Sequence, residues 1–518
     1  MPSTITKIKV IFSLLMILLL LPGLLYAEEK KILVEKFIFT GNAAISSAEL
    51  KLLVKGYEGK QLSFSEIQKV AELVTAEYAR RNFTLARAYL PQQDIANKQV
   101  EIAIVEGKVG TVRIQGDHKY YSDAFIRKHF EPLLSKSAYD QASLEKALLV
   151  LNDYLKLNVS ATLQAGAMPG TTDLVVTANN SFPWNLTLDY NNHGSSYTSR
   201  SRFGLSLELG NLIKEGSLLS LRGVSGENPS DLLHGRISYS LPLNVSGTKL
   251  GLYYSRGSFD VAKDLAVLNI ENRTESYGIF LTHPIIKQRT KKLTAEIDFD
   301  AKNTRQEILG TLFSRDKIRS LRAGLSFENT DSSGRNFASL FITQGLGHTL
   351  GAMAGDDPLA SRAGADNSFT KLNLDMLRVQ RIASPVYLFL KGSAQWASTS
   401  VVAGEQFTVG GAETVRGYPQ GEASGDSGYA ATAELRVSPL SNKEILQLAL
   451  FVDRGTAYVK NAVAGQKKHQ SLTGGGVGVR LNLPYNFDIK ADVAFPLSPS
   501  QSSDNKDAVL YLQAVKRF

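Results

Sequence analysis

The residues best placed to do chemistry in this chain are an arginine in a loop and an aspartate on a later strand. Val415-Arg416-Gly417-Tyr418 lies in a glycine-rich connection at about 404–429, preceded by Gly410-Gly411 and followed by Pro419. Further along comes Phe451-Val452-Asp453-Arg454-Gly455. In Leu446–Asp453 the parity Leu446, Leu448, Leu450, Val452 is apolar, while Gln447, Ala449, Phe451 and Asp453 share the opposite face. A carboxylate on the inner face of a closed sheet needs a cation or water. A loop folded inward would bring Arg416 to it, and an Arg–carboxylate pair can be bidentate and stronger than a neutral hydrogen bond. In a wet lumen the value of such a pair is mostly positional. A flexible outer loop and a solvated Asp453 satisfy the same residues.

Catalytic constellations are missing. None of His118, His129, His193, His234, His283, His348 and His469 is spaced like a His-Glu-x-x-His metal pair. No Gly-x-Ser-x-Gly elbow occurs. Gly474-Gly475-Gly476-Val477-Gly478 reads as glycines opening a strand rather than a phosphate cradle, and no nucleotide-binding Gly-x-x-x-x-Gly-Lys-Ser/Thr loop is found. With no Cys there are no disulfides or thiolate sites. The expectation is a protein that is not an enzyme and holds no metal or cofactor.

The elements that must position Arg416 and Asp453 are strands. From about Ser181 to Phe518 apolar and polar residues alternate: Leu293, Ala295, Ile297 and Phe299 against Thr294, Glu296, Asp298 and Asp300. About sixteen candidate strands can be counted, among them Trp184–Asn191, Arg202–Leu209, Leu293–Ala301, Val477–Leu483, Phe487–Ala494 and Ala508–Phe518. A water-soluble sandwich alternates in the same way. An apolar leader, the lack of any later apolar run long enough for a spanning helix, and the terminal Phe518 favour a barrel with lipid outside and water inside. Leu510, Leu512, Ala514 and Phe518 share lipid-facing parity; Lys516 interrupts it and is expected to snorkel.

Residues 1–27 read as a signal peptide: Lys7 and Lys9, an apolar stretch from Val10 to Leu25, and a small residue at Ala27. Helical spacing appears only between about Lys31 and Asn180. Ile67, Val70, Leu73, Val74 and Tyr78 form one face, capped by Ser63 or Ser65, and a second helix runs from Ser143 through Leu155. The region repeats itself. Ile38-Phe39-Thr40-Gly41-Asn42 matches Arg113-Ile114-Gln115-Gly116-Asp117, and Tyr78 matches Tyr154. Two β-α-α-β-β units follow, at 30–108 and 109–180, with the barrel at 181–518.

The chain of 518 residues carries a formal charge of +9, or +9 − 2 = +7 without Lys7 and Lys9. Arg80-Arg81 and Lys291-Lys292 are isolated pairs without interleaved aromatics, so no nucleic-acid surface is expected.

Taken together, the two tandem units of POTRA type, the barrel, Val415–Tyr418 in a long late loop and Phe451–Gly455 after it resemble the two-partner secretion transporters, the haemolysin and filamentous-haemagglutinin exporters of the POTRA-barrel superfamily. Thr84–Pro91 resembles the first POTRA of that family. The resemblance implies a sixteen-stranded barrel in the outer membrane of a Gram-negative bacterium, surrounded by outer-membrane lipid, with periplasmic POTRA domains. It implies that Arg416 pairs with Asp453. It also implies a secreted partner with an N-terminal secretion domain, exported unfolded. Independently of the resemblance, the missing phosphate loop and a periplasm without nucleotide lead to export without ATP, with the unfolded partner bound as an added strand on a POTRA edge. Arg80, Arg87 and Tyr89 are candidates for touching that partner. Phe518 resembles the signal that barrel-assembly machinery recognises. An assembly factor of the same superfamily would share the arginine loop and is the alternative. Family members often begin with a pore-plugging helix. Here Glu28 runs into a strand at Ile32–Phe39 within a few residues, so no such plug is expected.

Overall fold

The computed structural model describes residues 29–518 apart from 96, 196, 262, 356, 441–444 and 499–501. The leader read as a signal peptide lies outside the described residues. The chain divides into two compact units, one built mainly from residues up to Thr111 and one from Val112 onward.

In the first unit, the single strand expected over Ile32–Phe39 is two, β1 (Ile32–Val34) and β2 (Lys36–Thr40), with β3 (Lys60–Leu62), β4 (Arg87–Tyr89) and β5 (Gln99–Val105) beyond. The break at Glu35 follows from divided pairing, since β1 runs antiparallel to β3 and β2 runs parallel to β5. The helix Phe64–Arg80 starts at Ser63, whose hydroxyl accepts from the Glu66 N–H while the Glu66 carboxylate accepts from the Ser63 N–H. Its buried stripe of Ile67, Val70, Val74 and Tyr78 packs with Phe37, Val100 and Ile102 of the sheet ordered β2-β5-β4. Below it, Glu106 accepts from the Ala43 and Ala44 N–H groups and the Tyr78 hydroxyl.

The duplicated elements are β6 (Lys108–Gln115), β7 (Leu157–Ala165) and β8 (Thr171–Asn180), in sheet order β6-β8-β7. The repeated glycine has a steric cause. A Cβ on Gly41 would stand 2.2 Å from the Ile104 carbonyl oxygen, and one on Gly116 2.2 Å from that of Ala178. Both glycines have positive φ, 75° and 107°. The second helix, expected to reach Leu155, is Gln141–Leu151. Lys156, at φ 57°, turns the chain into β7 instead.

The barrel follows: β9 (Trp184–Asn191), β10 (Arg202–Gly210), β11 (Leu218–Ser225), β12 (Leu232–Pro242), β13 (Lys249–Asp260), β14 (Glu271–Lys287), β15 (Lys291–Ile308) and β16 (Thr311–Thr330). Next come β17 (Gly334–Gly345), β18 (Thr370–Ala383), β19 (Val386–Ala397), the short β20 (Phe407–Val409) and β21 (Ala423–Gly425), and β22 (Ser427–Val437). Last are β23 (Leu446–Tyr458), β24 (His469–Leu483), β25 (Phe487–Pro496) and β26 (Val509–Arg517). Among the described residues sixteen of these, all but β20 and β21 from β9 onward, close into one antiparallel barrel in chain order, β26 pairing with β9. No described helix is long and apolar enough to cross a membrane. Several strands outrun their alternation: Leu293–Ala301 is the middle of β15, and Val477–Leu483 the end of β24. The extra residues are polar on both faces or glycine-rich, which period two does not reveal.

One end of the barrel has tight turns, at 331–333 and 484–486, and the other has long connections, at 346–369 and 398–426. At the turn end, Ser122, N-cap of the helix Asp123–Lys128, donates its N–H and hydroxyl to Glu215 at 2.5 and 2.9 Å. Lys287 of β14 forms an ion pair with Asp153. The second repeat is thereby tied to the rim.

Candidate functional site

The arginine loop, expected at about 404–429, occupies 398–426, and Ser427–Tyr429 already belong to β22. Gly428 makes that start possible, because the Phe407 ring lies 2.4 Å from where its Cβ would be. β20 and β21 pair as a ribbon that carries the loop tip onto the inner wall.

At the tip, Arg416 is 3% exposed and Asp453 fully buried. Arg416 Nε donates to Asp453 Oδ2 at 2.7 Å and Nη2 to Oδ1 at 2.9 Å; the Arg416 N–H adds a third bond to Oδ2 at 3.1 Å. The pair is therefore bidentate and buried; of the two readings left open for Asp453, a partner of Arg416 or a solvated charge, the structure has the first. Burial changes its value, because removing one partner would strand a charge out of water. The guanidinium carbon also sits 3.3 Å from the Phe451 ring centroid, a cation–π stack.

The site is larger than a pair. Arg416 Nη1 donates to Glu434 Oε2 at 2.9 Å and to Asp492 Oδ2 at 3.1 Å. Arg480 binds the same two acids, Nη2 to Glu434 at 3.0 and 3.1 Å and Nη1 to Asp492 at 2.5 Å. Arg436 Nε donates to Glu434 Oε1 at 2.7 Å. Carboxylates from β22, β23 and β25 can meet because β24, lying between β23 and β25, presents Gly474, Gly476 and Gly478 inward. A Cβ on Gly474 would stand 1.9 Å from the Arg416 carbonyl oxygen, on Gly476 2.7 Å from the Phe451 ring, and on Gly478 2.0 Å from Asp492 Oδ1. The wall gives up side chains where the loop needs space.

The neighbouring motif residues each have a contact. Val415 is buried with Val409, Tyr418, Ala457 and Leu472, and Gly455 leaves room for Val409 and Val415. Gly417, at φ 98°, donates its N–H to the Tyr511 hydroxyl, which donates to the Tyr418 carbonyl at 2.9 Å. The Tyr418 hydroxyl donates to the Thr473 carbonyl at 3.1 Å and accepts from the Ser498 N–H at 3.0 Å.

Both feet of the loop are pinned as well. Glu405 forms ion pairs with Lys302 on β15 and Lys371 on β18. Asp426, fully buried, accepts from Arg362 Nη1 at 2.5 Å and from the Val401 and Lys460 N–H groups at 2.7 Å each.

The remaining candidates lie elsewhere. Arg80 is exposed and paired to Glu77 at 2.6 Å. Arg87 and Tyr89 are exposed on β4, at an edge of the first sheet. Phe518 is exposed at the seam, its N–H donating to the Leu186 carbonyl at 2.9 Å. Lys516 bends to the Tyr485 carbonyl in a tight turn, with its ammonium 5.1 Å from the Phe518 ring. Glu434, Asp492, Arg480 and Glu405 escaped the sequence reading. The signal for the first three was present in the spacing of Gly474, Gly476 and Gly478, three absent side chains on one face of one strand.

A family model described as haemolysin secretion/activation protein ShlB/FhaC/HecB matches residues 170–481, and one described as POTRA domain, ShlB-type, matches residues 32–107. The heme/hemopexin transporter protein HuxB of Haemophilus influenzae is 26% identical over 490 residues, covering 92% of this chain and 85% of that protein. Outer membrane transporter CdiB of Escherichia coli is 22% identical over 427 residues, covering 79% and 69%. In fold, the solved structure of CdiB from Escherichia coli matches with a TM-score of 0.81 at 18% identity, over 96% of this chain and 92% of that one. CdiB from Acinetobacter baumannii matches at 0.74 and 16% identity, over 95% and 91%. With the family model spanning more than half of the chain, this protein belongs to the haemolysin secretion/activation family ShlB/FhaC/HecB, the outer-membrane POTRA-barrel transporters of two-partner secretion.

Proposed function

We propose that this protein captures an unfolded secreted partner on its periplasmic POTRA domains and passes it through the barrel without nucleotide hydrolysis. The observation that carries the reading is β2, an edge strand paired on one side only, in a module ahead of a closed barrel. An extended chain can add to such an edge by main-chain hydrogen bonds, with little demand on its sequence. Arg87 and Tyr89, on the opposite edge, and Arg80 are the side chains proposed to touch it. In the barrel, a cavity of about 490 Å³ lies along β12–β18, where Tyr253, Phe280, Glu296, Asp298 and Arg322 face the foot of the loop. Mixed charges and aromatic faces suit a passing backbone without selecting one sequence. The energy comes from the partner, which folds outside and cannot return. Residues 1–27 direct export, an N-terminal secretion domain on the partner is the recognised segment, and Phe518 serves recognition by the barrel-assembly machinery.

The test is a comparison of secreted proteins between wild type, a deletion strain and an Arg416→Ala strain. Loss of one large secreted protein in both mutants, with the variant barrel still heat-modifiable in the membrane, is expected. An unchanged secretome would overturn the reading. Because the chain has no Cys, a single Ile38→Cys on exposed β2 gives a clean site for cross-linking the captured partner.

A further inference from the structure

Arg454 is the one charged residue of the Phe451–Gly455 motif that the lumen does not use. Asp453 and Gly455 face inward; Arg454 shares the outer face with Leu448, Leu450 and Val452, all exposed to lipid. A cation on that face is costly away from the interface and calls for a partner. Among the described residues Arg454 has no ion-pair partner in the protein; the exposed Tyr429 stands on the adjacent strand, two residues from Ala431, the cross-strand partner of Arg454.

It stands at the end of a groove. Ala338, Met376, Gly392, Ala431 and Arg454 are successive cross-strand partners on β17, β18, β19, β22 and β23, all on the outer face. The small members leave a recess of about 710 Å³ walled on one side by Phe327. Four strand spacings make it about 19 Å long, comparable to one leaflet of a hydrocarbon core about 30 Å thick. It also climbs. Ala338 is four residues from the periplasmic start of β17 at Gly334, and Arg454 four residues from the extracellular end of β23 at Tyr458. Trp396, Tyr429 and Tyr458 are exposed around its upper end, as expected of an interfacial aromatic girdle.

We propose that this groove binds one outer-leaflet glycolipid, with an acyl chain along the recess and a phosphate on Arg454 and Tyr429. The occupant is the phosphorylated, acylated glucosamine lipid of the outer leaflet (lipid A). The guanidinium lies toward the extracellular end, where the phosphates of that leaflet are, and its planar fork matches a phosphate. This assignment is independent of what the transporter exports.

The test uses the full mature chain in detergent, delipidated and titrated with lipid A, dephosphorylated lipid A and phosphatidylglycerol, read by native mass spectrometry. One lipid A is expected to bind about tenfold tighter than either competitor. Arg454→Gln should remove that preference. So should Gly392→Leu, which fills the recess from a position where a Cβ meets no atom within 4 Å. Lys516→Gln should leave it unchanged. Equal retention of the three lipids, insensitivity to both substitutions, or a dimer covering the groove with a second copy would overturn the proposal. If Arg454→Gln loses its heat-modifiable barrel, Gly392→Leu decides.

Discussion

The carbonyl oxygen of Arg416 lies 1.9 Å from where a Cβ of Gly474 would stand. The loop tip is thus seated on a bare strand backbone, not merely tethered by its guanidinium. Gly474→Ala is expected to lift the tip and reduce export toward the Arg416→Ala level, with the barrel still assembled. Gly223→Ala, where a Cβ meets nothing within 4 Å, is the control. Export comparable for the two variants would show that the seat is dispensable.

Removing the Arg416 side chain leaves Asp453, Glu434 and Asp492 short of a shared countercharge. Breaking a buried pair from one side costs about 3–5 kcal/mol, so Arg416→Ala should lower the temperature at which the barrel loses its compact gel migration. Arg416→Lys keeps the charge but not the fork and should fall between the two. Combined with Asp453→Asn, the losses should be clearly non-additive; strict additivity would mean that the contacts are energetically independent.

Glu405 joins the loop foot to Lys302 and Lys371 on two separated strands. Glu405→Gln should weaken this foot and leave the Arg416 cluster in place. Planar-bilayer recordings should then show a higher open-channel conductance or more frequent openings than wild type. Identical traces would mean that the foot does not restrict the lumen.

The second POTRA unit should be acid-sensitive through His129. Its ring is 5% exposed, its Nδ1–H donates to the Phe125 carbonyl at 2.9 Å, and Nε2 accepts from the Tyr154 hydroxyl at 3.2 Å. Burial pushes the imidazole below the ordinary histidine range. A depressed folded value means that the contribution is complete above the unfolded value, about 6.5, and is lost as pH falls through the lower folded value. Hydrogen exchange of the full chain should show residues 123–151 losing protection as pH falls below about 6.5, and His129→Gln should flatten that dependence.

Much of the architecture was legible in the residues because it follows from local rules. Period two with an apolar outer set reads as a barrel wall, and the Gly41/Gly116 and Tyr78/Tyr154 correspondence reveals the duplication. The strand ends did not show, since residues beyond the membrane are polar on both faces. The split at Glu35 did not show either, because it depends on which distant strands β1 and β2 find as partners.

For the site, sequence alone determined the parity that turns Asp453 inward and the loop that offers Arg416. Tertiary structure decided that the pair is buried, that Glu434, Asp492 and Arg480 join it, and that Arg454, turned outward by the same parity, stands at the end of a groove. The reason is geometric. Alternation assigns each side chain a face, but closure of the sheet decides which residues of non-adjacent strands stand close enough to share a charge, and only there do three missing glycine side chains become space for a loop.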